Sequence, residues 1–117
     1  MPYLLVNRAA LIIRPKQPFL DWLLGLPGPS LSLTLADLQH NCDVVLIPEL
    51  ETDADVEAFV NSQWAAIFEM ELDAWHTREA EWPARRTLKM FREWFDVELH
   101  EMIWDSARSP LRREKAD

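Results

Sequence analysis

Two short apolar runs, each ending at a proline, limit what this chain can fold into. Arg8 to Arg14 encloses Ala9, Ala10, Leu11, Ile12 and Ile13 and is closed by Pro15. Val44, Val45, Leu46 and Ile47 form an unbroken stretch closed by Pro48. Short runs rich in β-branched residues read as strands, because branched side chains fit a pleated surface. The second run does not alternate, so it is expected to be buried on both faces, as a central strand is.

Helical signals fill the space between and after these runs. Pro18 suits a first helical turn, Phe19, Leu20, Trp22, Leu23 and Leu24 give an apolar face, and Gly25 is a stop. Pro27, Gly28 and Pro29 mark a loop. Thr34 caps a brief helix from Leu35 to about His40, with Asp37 in the acidic place of a capping box. Asp53 and Asp55 open the longest helix, where carboxylates meet the positive end of the dipole. Its stripe is Val56, Phe59, Val60, Trp64, Ile67, Phe68, Leu72 and Trp75, with Glu57, Asn61, Glu71 and Asp73 mostly off it.

Pro83 is placed to start a further helix with Leu88, Phe91 and Trp94 or Phe95 inward. Arg85, Lys89 and Arg92 would form a basic stripe on another face. Residues 96–105 fit either a strand or a continued helix. The weak helix propensity of Phe95, Asp96 and Val97 favours a third strand. The expected fold is therefore α/β and helix-dominated, a small three-stranded sheet with helices packed on it, in the order β-α-α-β-α-α-β. A strand, a helical crossover and a strand favour a parallel, right-handed pair. Residues 1–105 form one domain, and 106–117 a tail expected to be mobile.

Charge narrows the function classes. The net charge is −8, and no Lys or Arg occurs between Gln17 and Thr77, a segment holding eleven Asp and Glu. Phosphate backbones repel such a chain, so nucleic acid is not an expected partner. No stretch reaches bilayer-spanning length, and the apolar residues Met1 to Val6 lack a cleavage site, so no membrane and no signal peptide are expected. Cys42 is the single cysteine. It excludes an intrachain disulfide, suits a reducing cytoplasm, and is expected to be a buried thiol.

Chemistry is sparse. Two glycines cannot build a phosphate-cradling loop, no nucleophile elbow occurs, and no cysteine pair is available for zinc. No catalytic, cofactor or metal residue is therefore assigned. The best polar group is Asp96, Glu98 and His100, which on a strand would share one face with neighbours about 7 Å apart. Carboxylates with an imidazole could hold a divalent metal or act as acid and base. The blander reading is a charged face on an edge strand. Six tryptophans are many for 117 residues. Trp75, His76, Trp82, Arg85 and Arg86 make a candidate interaction cluster, because aromatics with Arg are enriched at interfaces. The alternative is that Trp82 covers a helix joint with Arg78 or Arg85 stacked on it.

Ile47-Pro48-Glu49, Trp82-Pro83, Arg86-Thr87-Leu88 and the run Trp94 to His100 resemble a family of small uncharacterised bacterial proteins, over most of Arg8 to Asp105. That resemblance implies a bacterial cytoplasmic protein and no particular activity. The expected function is a non-enzymatic interaction or regulatory module. It binds a protein partner, or itself, through the acidic helix and the Trp/Arg cluster. An acidic inhibitor or antitoxin is one form of it. The rival is a small metal-dependent or acid/base enzyme using Asp96, Glu98 and His100. A structural subunit of a larger assembly is a third reading.

Overall fold

Pro15 is the point to which the chain keeps returning. The structure, a computed structural model, describes residues 3–115; Met1, Pro2, Ala116 and Asp117 lie outside it. Strand β1 (Leu4–Leu5) precedes β2 (Ala9–Pro15), and α1 (Gln17–Leu24) follows with Pro18 in its first turn. Helix α2 (Leu35–His40) starts at a capping box: Thr34 Oγ1 accepts from the Asp37 amide, and the Asp37 carboxylate accepts from the Thr34 amide. At its far end Gln39 Nε2 donates to the Pro15 carbonyl at 2.8 Å. Strand β3 (Asp43–Ile47) therefore starts beside the end of β2 and runs back along it.

A second return follows. Helix α3 (Asp53–Trp75) opens on a capping box of Thr52 and Asp55. A 3-10 turn (Glu79–Glu81) leads to α4 (Leu88–Trp94), capped by Thr87. The Lys16 amide donates to the Trp94 carbonyl at 2.8 Å, so β4 (Phe95–His100) also begins beside Pro15. The sheet is β3-β2-β4, and β2 is antiparallel to both neighbours. Strand β5 (Trp104–Asp105) pairs antiparallel with β1 as a separate two-stranded ribbon.

The α/β class and the helix-dominated balance stand as expected, but several details differ. The first pair is antiparallel rather than a parallel crossover, because α1 and α2 are short and double back to Pro15. The central strand is β2, and β3 lies at an edge. The N-terminal ribbon adds two strands. Residues 96–105 divide into β4 and β5 rather than forming one strand. Pro83 does not start a helix; α4 waits for Thr87, so Arg85 lies outside it and the basic stripe shrinks to Lys89 and Arg92. Residues 106–115 carry no helix or strand and are exposed.

One face of the sheet carries the core. Leu11 and Ile13 of β2 and Ile47 of β3 meet Phe19 and Leu23 of α1, Leu38 of α2, and Phe68 and Leu72 of α3. Phe91 and Phe95 complete this cluster, with ring centroids 5.2 Å apart. Truncating a fully buried aromatic ring removes transfer energy and leaves a cavity. Phe91→Ala should cost about 3–5 kcal/mol, and the half-buried Leu88→Ala clearly less. Urea midpoints of the two variants check this, and equal midpoints would show the helix face to be misplaced.

Candidate functional site

The opposite face of the sheet is open. Asp96, Glu98 and His100 do share it, across from Arg14, Ile12 and Ala10. Their charges are committed to neighbours. His100 Nε2 lies 2.7 Å from Glu98 Oε2, Arg14 lies 3.7 Å from Glu98, and Lys16 lies 3.7 Å from Asp96. The His100 hydrogen bond, helped by Arg14, holds the Glu98 carboxyl below its ordinary range. Among the described residues no group of three or more His, Cys, Asp or Glu is arranged to hold a metal ion. A charged, exposed row of this kind discourages pairing along the β4 edge.

Trp75, His76, Trp82, Arg85 and Arg86 gather around the joint between α3 and α4. Trp82 Nε1 donates to the His76 carbonyl at 2.7 Å, and His76 Nε2 lies 3.3 Å from Glu81. Trp22 Nε1 reaches the Glu81 carbonyl at 3.1 Å, which ties α1 to the joint. The guanidinium over Trp82 is that of Arg86, at 5.8 Å from the ring centre, not Arg78 or Arg85. Arg86 also bonds the Pro83 carbonyl and Glu69, each at 2.9 Å. Trp75 and Arg85 face solvent, while Trp82 is half-buried.

A groove of about 730 Å³ runs from this joint along the β3 edge. Its floor is Val45 of β3 with Ala66, Met70 and Ala74 of α3, and Trp82 lines it from the joint. Its rim carries Asp43, Asp73 and Glu79, none of which makes an ion pair among the described residues. Glu69 also borders it but is bound to Arg86. Pairing places Val44 and Leu46 of β3 on the open face, opposite Ile12 and Ala10, and they are 58% and 48% exposed. The expected burial of this run on both faces is thus not met within the chain. The reason is that the four helices bury their apolar residues on the other face of the sheet, with Leu11, Ile13 and Ile47, and leave the face of Val44 and Leu46 uncovered among the described residues.

Glu71 is the residue that sequence reasoning misplaced. It is 3% exposed, and its Oε1 has no hydrogen-bond partner among the described residues. Burial first, and the neighbouring Asp43 carboxylate second, push its pKa up from 4.5 to about 8. The signal was present in the spacing. Glu71 is four residues from Ile67, three from Phe68 and seven from Trp64, which puts it on the apolar stripe. Cys42 is unpaired but only half-buried, less enclosed than expected.

No protein-family model, curated protein or solved structure matches the chain. Among the described residues, no helix is long and apolar enough to cross a membrane.

Two outcomes are expected here. An acid whose folded pKa is raised keeps its proton between pH 4.5 and about 8, while the unfolded chain has lost it. Folding stability contributed at this position therefore falls as pH rises through that window. Glu71→Gln should remove that slope and gain stability relative to wild type at pH 8 but not at pH 4, as read from paired urea titrations. Second, calorimetry with zinc and manganese should give no binding at micromolar strength at Asp96, Glu98 and His100. Tight binding that disappears in His100→Ala would restore the metal reading.

Proposed function

We propose that the chain is a non-enzymatic interaction module of the bacterial cytoplasm that binds a protein partner through the groove between β3 and α3. One observation carries this reading. A strand with four consecutive apolar residues, Val44 to Ile47, lies at the edge of the sheet, beside an apolar groove whose rim carboxylates Asp43, Asp73 and Glu79 make no ion pair among the described residues. Soluble chains protect such edges with charge, proline or a cover. Here the other edge has its charged row, whereas the open face of β3 carries only Val44 and Leu46, and its single charge, Asp43, lies at the groove.

The acidic helix and the tryptophan joint, expected separately, both border this groove. Asp73 and Glu69 come from α3, and Trp82 and Glu79 from the joint. A half-buried Trp fixed by a hydrogen bond costs little conformational entropy when a partner packs on it. Self-association through the groove is less well supported, because it sets two acidic rims against each other. The acid/base reading of Asp96, Glu98 and His100 is also less well supported, since those groups are already paired on an open face.

The test is capture from native bacterial extract with three baits: wild type, Met70→Lys in the groove, and Glu98→Gln on the open face. Met70 is 42% exposed, so the fold should tolerate the change. A protein retained by wild type and by Glu98→Gln but lost with Met70→Lys is the expected result. Retention by all three baits would move the interface elsewhere.

A further inference from the structure

We propose that the β3 edge takes up an extended, basic segment of the partner as a fourth strand of the sheet, an inference that rests on the groove being the interaction site. Three features of the structure point to a strand rather than a helix or a small ligand. Among the described residues the edge of β3 has no partner strand on its outer side. Its main-chain amides and carbonyls that point outward can bond an incoming chain, which is how strand addition acquires affinity. The groove also follows β3 from Asp43 through Val45 on one side of that edge, so side chains of an added strand have space to enter.

The two sides of the edge differ in chemistry, and this sets the pattern of the incoming segment. In an added strand alternate side chains point to opposite faces. Those pointing toward α3 lie over Ala66, Met70 and Ala74, with Asp43, Asp73 and Glu79 around the margin. Lys and Arg satisfy both demands: their aliphatic stems cover the apolar floor and their heads reach the carboxylates. Residues pointing the other way meet Val44 and Leu46, which favour Val or Ile. The segment is therefore an alternation of basic and β-branched residues, about five residues long to match β3. Pairing of β3 with the β3 of a second copy is a poorer fit, because that strand carries Asp43 and no basic residue.

The experiment uses an acetylated, fluorophore-labelled heptapeptide of alternating Lys and Val, with anisotropy as the readout on the full chain. Three comparisons accompany it: the same pattern with Glu in place of Lys, the Lys-Val peptide N-methylated at alternate amides in each of the two registers, and the Lys-Val peptide on Asp73→Lys/Glu79→Lys protein. Both substituted positions are exposed, and circular dichroism confirms folding. The expected result is saturable binding of the Lys-Val peptide that weakens with added salt. It should be lost with the Glu-Val peptide and with one register of N-methylation, and weakened roughly tenfold by the double charge reversal, about 1.4 kcal/mol.

Binding that survives both N-methylated registers would overturn strand addition. Binding indifferent to the charge reversal would overturn the basic segment. Absence of Lys-Val binding, with groove-dependent capture from extract intact, would sink this inference and leave the interaction site standing. Absence of both would sink the two together.

Discussion

Five rings hold the elements of this protein in place. Phe68 on α3 lies 6.0 Å from Phe91, 5.3 Å from Phe95 and 5.4 Å from Trp94. Phe19 on α1 meets Phe95 at 5.3 Å and Trp94 at 6.1 Å from the other side. Tilted and edge-on contacts of this kind add to the area that each ring buries. The cluster spans α1, α3, α4 and the first residue of β4, so it fixes where the second half of the chain meets the first. Two closures, the Gln39 side chain on the Pro15 carbonyl and the Lys16 amide on the Trp94 carbonyl, then set the register of both outer strands.

The open groove follows from a mismatch of lengths. At about 1.5 Å per residue, the 23 residues of α3 span roughly 34 Å. Five residues of β3 reach about 17 Å. The helix outruns the strand beneath it, and its C-terminal turns pass beyond the aromatic cluster toward the Trp82 joint. Met70 and Ala74 stay exposed because they lie beside the edge of β3, where no further strand covers them among the described residues, and Trp75 is exposed at the helix end. The joint is stiff because Trp82, Trp22, Glu81 and Arg86 each have a defined partner. A firm wall and an unpaired strand edge facing each other make a surface suited to an extended segment.

Glu71 shows a tension inside the same region. A carboxyl group sits on the apolar stripe beside Asp43, and it is held neutral by burial. An unpaired buried oxygen is costly, and an apolar or amide side chain of similar size would avoid the cost. The groove margin and this buried acid share Asp43, so charge brought near Asp43 acts on both.

Much of the local structure was legible in the residues alone. Thr34 with Asp37 placed the start of α2, and the eight-residue stripe from Val56 to Trp75 placed α3, because capping and helical periodicity act over a few neighbouring residues. The alternation after Phe95 put Asp96, Glu98 and His100 on one face of a strand for the same reason. The direction of pairing, the central place of β2 and the exposure of Val44 and Leu46 were decided only by the tertiary structure. They depend on Gln39 reaching Pro15, Lys16 reaching Trp94 and the rings meeting across dozens of residues. Periodicity within one segment carries no record of which neighbour that segment will find, and that is why the groove became visible only once the chain was folded.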